Sequence, residues 1–302
     1  MRAFSFLAQR FSGTQMNRTT ATAIGFIAVL LWALLALFTA GSAPVPPFLL
    51  NALTFAIGGT VGVIWVIVRG RLSVLRAVPW TIYVFGTAGL FGYHALYYSA
   101  LRLAPPAEAG LIAYLWPLFI VLFSGLLPGE RLRAGHIFGA LVSFAGAALI
   151  VLRNGFSFEA AATPGLILAG VCALTWSSYS VLSRRLGTTP TEAVAVFCVL
   201  TALSSVPAHL LFETTVWPQN VFGWISVAAL GLGPVGLAFY VWDIGVKRGD
   251  IQLLGVASYA APLLSTLVLI GAGFAQASWQ LVAAAILITI GAAVAAMASR
   301  QS

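Results

Sequence analysis

One histidine, His94, lies deep inside an apolar run of this chain, and two tyrosines, Tyr97 and Tyr98, follow it at helical spacing. Helix positions i, i+3 and i+4 share a face, so one imidazole and two phenols are presented together. Further along stand Tyr114 and Trp116, then Trp176 and Tyr179, then Ser258 and Tyr259. This set supplies π-faces, hydroxyls and one titratable nitrogen. It suits the binding of a ring and of an amine, the latter through cation–π contact. It is poorly made for covalent chemistry. The sequence has no His-Glu-x-x-His motif and no Gly-x4-Gly-Lys-Ser/Thr phosphate loop. Nor has it a pair of aspartates within an apolar run that could share a proton. Cys172 and Cys198 lack metal-ligand spacing and read as small buried apolar residues. No catalytic residue, metal site or cofactor is expected.

The elements that must hold these side chains are about ten apolar stretches, each near twenty residues. Only 7% of residues are charged, and the mean hydropathy is +1.01. A bilayer core is roughly 30 Å thick and takes about twenty helical residues to cross. Helices pair their own backbone groups, which lipid cannot do for them. The runs predict an all-α polytopic membrane protein with helices at 20–40, 47–68, 79–101, 105–127, 135–152, 164–183, 190–212, 220–246, 250–271 and 277–298. Pro79, Pro164 and Pro190 sit at helix starts, where a missing N–H is tolerated. Residues 1–19 lack the apolar core of a signal peptide, which makes the first helix a retained start signal. The net charge of +8 lies between spans and orients the chain in the bilayer; nucleic acid is not its partner. With the N-terminus inside, thirteen of the fifteen Lys and Arg residues are cytoplasmic, and only Arg102 and Arg153 fall outside. Both termini are therefore expected in the cytoplasm.

The two halves repeat. Gly110 and Gly255, Tyr114 and Tyr259, Pro117 and Pro262, and Gly146 and Gly291 are each 145 residues apart, and Trp32 and Trp176 are 144 apart. Five spans per half is an odd number, so the second half is inverted relative to the first. The division is a cytoplasmic segment 1–19, a first repeat 20–152 and a second repeat 164–298. Inverted repeats characterise secondary transporters, whose substrate binds near the midplane between broken helices. Pro117 and Pro262 fall near the middles of helices four and nine and free the carbonyls of Ala113 and Ser258. Gly110 and Gly255 loosen the same regions, so all four residues are candidate hinges. Two readings stay open at this level: carbonyls that receive an ammonium group, or packing kinks without ligand contact.

Other residues have simpler expectations. Trp80, Trp217, Trp224 and Trp279 sit near helix ends as an interfacial belt, whereas Trp32 is deep. The serines of Trp176-Ser-Ser-Tyr-Ser suit hydrogen bonds between helices. Glu108 stabilises the start of helix four, Asp243 can pair with Lys247 at i+4, and His136 and His209 are placed at the interface.

The run from Leu103 through Pro105, Ala107, Gly110, Tyr114, Pro117 and Gly129-Glu130-Arg131 to Gly139 and Gly146 resembles the repeat unit of the drug/metabolite transporter superfamily, EamA branch. The resemblance covers about residues 20–298 and implies ten helices in two inverted repeats. It further implies a secondary transporter of the bacterial inner (plasma) membrane, working by alternating access on a small-molecule substrate. The Ala-Tyr-Leu-Trp-Pro-Leu run at 113–118, preceded by Tyr93-His94 and Tyr97-Tyr98, is similar to bacterial aromatic amino-acid exporters of that superfamily. Export of aromatic or large neutral amino acids follows from that likeness. One departure is plain: Phe274-Ala275-Gln276 stands where the second half should repeat Gly-Glu-Arg. The alternative is efflux of cationic drugs or metabolites, which wants a carboxylate within the membrane; none of the seven acids lies near a span centre. Anionic substrates want Lys or Arg there, and neither is present. No carboxylate cluster suggests a sodium site, and the sequence carries no signature of oligomeric state.

Overall fold

A computed structural model describes residues 16–152 and 160–300. Arg2, Arg10 and Arg153, used above in reading sidedness, lie outside them. The described residues form ten long helices and no strand: α1 (Arg18–Gly41), α2 (Pro47–Val68), α3 (Trp80–Leu103), α4 (Pro106–Ser124), α5 (Ala134–Val151), α6 (Thr163–Arg185), α7 (Ala193–Phe212), α8 (Val221–Arg248), α9 (Ile251–Gly271) and α10 (Trp279–Arg300). The expected spans are met to within a few residues. Nine of the ten are long and apolar enough to cross a membrane. The exception is α3, whose 24 residues include Tyr83, Tyr93, His94, Tyr97 and Tyr98. A helix that turns such groups toward the bundle instead of lipid has no need of a uniformly apolar surface.

Local chemistry sets the ends. The side chains of Asn17, Asn220 and Asp250 accept backbone N–H groups at the starts of α1, α8 and α9, each satisfying one of the four unpaired donors there. Pro47 and Pro106 open α2 and α4. Gly129 and Gly273, both at φ +80°, make the same left-handed turn in the α4–α5 and α9–α10 connections.

Helix α2 packs on α7 and α5 on α10, while the pairing of α3 with α6 recurs as α8 with α1. That pattern is a pseudo-twofold axis exchanging the halves, and with five helices in each the repeats are inverted. One end of the bundle carries Arg18 and the C-terminus of α8; the other carries Arg102 at the end of α3. Small residues allow the closest contacts, as expected where lipid supplies no hydrophobic drive between helices. Gly25 of α1 faces Gly245 of α8, and a Cβ on Gly25 would come within 2.8 Å of the Gly245 Cα.

Two helices of this α1–α8 pair are interrupted. Helix α1 breaks at Ala33–Leu34, between Arg18–Trp32 and Leu35–Gly41. Helix α8 widens into a π-helical turn over Gly233–Leu237, between Val221–Leu232 and Ala238–Arg248. The mates α6 and α3 run unbroken. Overpacking a close contact costs about 1–3 kcal/mol, so Gly25→Leu is expected to lower the thermal midpoint in detergent, read by size-exclusion after heating. Gly271→Leu, which meets nothing within 4 Å, should leave that midpoint unchanged.

Candidate substrate chamber

Helix α4 consists of Pro106–Ala113 and Trp116–Ser124, separated by a turn at Tyr114–Leu115. Helix α9 consists of Ile251–Ala257 and Ala260–Gly271, separated at Ser258–Tyr259. The proline-kinked continuous helices expected from sequence are thus pairs of half-helices. Pro117 and Pro262 stand in the first turn of each second half, where their missing N–H costs nothing. Pro117 offers no donor to the Ala113 carbonyl. The Ser258 carbonyl differs from expectation: it accepts the Ala261 N–H at 3.0 Å, and the Ser258 hydroxyl donates to Leu254 at 2.7 Å. Ser258 is fully buried, and its polar atoms are already used.

The rings form two layers. From Phe91 to Ser99 every residue of α3 is half-buried, whichever face of the helix it occupies. A packed amphipathic helix has one buried and one exposed face; uniform partial exposure marks a helix beside a crevice. At about 1.5 Å per residue, His94 stands roughly 13 Å from the Arg102 end. Its Nδ1 lies 2.7 Å from the Leu90 carbonyl. A carbonyl only accepts, so Nδ1 carries a proton, and in the neutral ring Nε2 keeps its lone pair. Around it stand Phe55 at 5.1 Å, Tyr93 at 5.2 Å and Tyr98 at 6.0 Å between centroids. Tyr93 stacks on Tyr97 at 6.1 Å, and Tyr114 is half-buried.

The second layer is a core of four indoles. Trp32, Trp116, Trp176 and Trp242 come from α1, α4, α6 and α8, and all six pairs lie 5.1–6.4 Å apart. Trp32 donates to the Pro234 carbonyl at 3.2 Å and Trp242 to the Ser180 hydroxyl at 3.1 Å. Trp176 links the layers, 5.4 Å from Tyr93. Trp176 and Trp242 sit roughly 13 and 9 Å from the Arg18-end termini of α6 and α8. The indoles therefore fill the bundle between the half-buried rings and that end. Tyr179, buried against Phe85 and Trp176, stands one turn further toward it.

Sequence reasoning missed Trp242 and Phe239, although the 145-residue offset carries Tyr97 onto Trp242 and His94 onto Phe239. Tyr259 is not brought into the chamber. It is fully buried against Phe144, and its hydroxyl accepts the Leu118 N–H at 3.1 Å, covering a donor exposed by the break in α4. His136 and His209 are at helix ends as expected, and both are buried within the bundle; His136 bonds Ser299, and His209 bonds Glu213 and Thr215. Trp80, Trp217, Trp224 and Trp279 are exposed. Lys247 pairs with Asp243 at 2.7 Å.

The hinges differ between halves. A Cβ on Gly255 would meet Val121 at 2.9 Å and the Pro117 carbonyl at 3.1 Å, whereas one on Gly110 would meet only Val151 at 4.0 Å. The first half of α9 is thus seated on the second half of α4, toward the Arg18 end. At that end the two half-helices are in contact, whereas a Cβ on Gly110 at the other end would have no neighbour nearer than 4.0 Å.

Ten long helices in two inverted repeats, packed around a cluster of aromatic rings, are the architecture of a multi-pass membrane transporter. The chain belongs to the EamA-like transporter family, which matches it twice, over residues 19–152 and 163–297. It is similar to the protein named aromatic amino acid exporter YddG of Ancylobacter novellus, 57% identical over 289 residues, 95% of this chain and 100% of that one. The Salmonella typhimurium protein of the same name is 25% identical over 305 residues, 95% of this chain and all of its own. A solved crystal structure, 57% identical, superposes with a TM-score of 0.89 over 94% of this chain and 100% of its own.

Tyr259→Phe removes the side-chain acceptor of the Leu118 N–H. The expected loss is about 1 kcal/mol, read as a lower denaturation midpoint. The intrinsic tryptophan emission should not move, because the indole core is untouched.

Proposed function

We propose that this chain exports aromatic or other large neutral amino acids across the bacterial inner membrane by alternating access, as a transporter and not an enzyme. The observation that carries the reading is the chamber wall: half-buried aromatic rings from α3 and α4 with no ionised group among them. Such a wall welcomes a ring, and one contact with an ammonium group adds about 0.5–2 kcal/mol. The likeness to two proteins named aromatic amino acid exporters supports it.

In this reading Tyr97, Tyr98, Tyr114, Trp116 and Trp176 hold the side chain of the substrate. His94 Nε2 and the Ala113 carbonyl receive its ammonium group. Tyr179, Ser258 and Tyr259 support these walls from behind. Gly110, Pro117, Gly255 and Pro262 are the hinges that let the half-helices of α4 and α9 move. Residues 20–152 and 164–298 are the two repeats, and residues 1–19 precede them in the cytoplasm. The excess of cations at the Arg18 end makes that end cytoplasmic, so the chamber as described faces outward. Efflux of organic cations is disfavoured, because Asp243 is already neutralised by Lys247 and Glu108 lies in the first turn of α4.

The test is counterflow uptake by protein reconstituted in liposomes without ATP. Labelled aromatic and large neutral amino acids should enter, and His94→Ala or Trp116→Ala should reduce uptake about tenfold, equivalent to about 1.4 kcal/mol. Uptake of cationic dyes with silence for every amino acid would overturn the proposal.

A further inference from the structure

The two ends of this bundle are fastened differently. At the Arg18 end the Glu130 carboxylate, 6% exposed, pairs with Arg184 and with Arg18. Arg184, 17% exposed, also donates to the Val246 and Gly249 carbonyls at 2.8 Å each, covering the last carbonyls of α8. Arg18 reaches Asp250 at 3.4 Å, and the Asp250 N–H donates to the Thr22 hydroxyl. One cluster thus ties the α4–α5 connection to the ends of α1, α6, α8 and α9.

The repeat carries none of it to the other end. By the same offsets Glu130 maps to Ala275, Asp250 to Pro105, Arg184 to Ala40 and Arg18 to Ala162. Among the described residues, Arg102 and Glu213, with His209 against Glu213, fasten α3 and α7 to the start of α2, where Glu213 accepts the Phe48 and Leu49 N–H groups.

The interruptions show the same asymmetry. Of the two equivalent pairs, α3–α6 is continuous and α1–α8 is broken, at Ala33–Leu34 and at Gly233–Leu237, and the Trp32 indole bonded to the Pro234 carbonyl joins the two breaks. Below them, Arg18–Trp32 and Ala238–Arg248 pack through the Gly25–Gly245 contact. Their far ends carry Arg18 and the carbonyls held by Arg184. A helical segment, an interruption of the helix and a fastening at the tip together make a hinged arm.

We infer that Arg18–Trp32 of α1 and Ala238–Arg248 of α8 move as one arm about the paired breaks to open the Arg18 end, and that Glu130 with Arg184 is the lock that holds it shut. This rests on the alternating-access reading and adds which part moves and what restrains it. Removing the Glu130 charge weakens the shut state alone, so the population shifts toward the open one.

Spin-label distances on the full chain in liposomes, measured without substrate, test this. Thr19→Cys with Arg131→Cys spans the lock, and Thr19→Cys with Arg248→Cys lies within the arm; all three positions are exposed, and the two native cysteines are buried. Glu130→Gln is expected to raise the long-distance fraction of the first pair several-fold, while the second pair keeps its distance. Arg184→Gln should do the same, so that misfolding of one variant leaves the other. Unchanged distances across the lock in both variants, or widening within the arm, would overturn the inference. Because no substrate is present, failure of amino-acid uptake would sink the proposed function without touching this readout.

Discussion

Lipid offers no hydrogen bonds, so every interruption of a spanning helix has to be covered by another part of the same chain. The breaks in α4, α8 and α9 show such cover by different means. The Tyr259 hydroxyl covers the Leu118 N–H, and the Trp32 indole covers the Pro234 carbonyl. Ser258 and Ala261 close a tighter turn on themselves. Each solution ties a break to a neighbouring helix or to its own backbone. The bundle can therefore afford irregular helices only where its interior is most tightly organised, which is also where a transported solute must pass.

Symmetry and its failure do separate jobs. The pairings α2–α7, α5–α10 and the duplicated α3–α6 and α8–α1 contacts build one scaffold twice. Small residues, Gly139 in α5 against Gly291 in α10 and Gly146 against Ala284, let those backbones approach closely. Departures from the twofold sit on the pathway: one lock, one pair of broken helices, and indoles gathered toward one end. A perfectly symmetric pair of repeats would hold its two ends with equal free energy. Unequal fastening sets a resting state.

Charge is kept out of the chamber and used at its ends. Glu130, Asp250 and Glu213 are all buried or nearly so, yet each is paired with cations or backbone donors. A buried carboxylate without such partners would be expensive at this depth. The rings that remain give the interior attraction for apolar and weakly cationic groups without committing it to either sign.

Much of this was decided locally. Apolar runs of bilayer length, prolines at helix starts and the 145-residue offset between Tyr114-x-x-Pro and Tyr259-x-x-Pro suffice for ten spans and the inverted repeat, because each is a one-dimensional property of the chain. The same patterns place His94, Tyr97, Tyr98, Tyr114, Trp116 and Trp176 near one another. They do not say which way a side chain turns once its helix is broken. Ser258 and Tyr259 read like their mates Ala113 and Tyr114, but point into packing because α9 is seated on α4 at one end only. Trp242 falls in no motif of the sequence, and Glu130 only in the Gly-Glu-Arg run after helix four. Their roles depend on partners 54 to 210 positions away, Ser180 and Trp32 for one, Arg184 and Arg18 for the other. Contacts of that range arise only when helices cross, and the crossing is set by the tertiary fold.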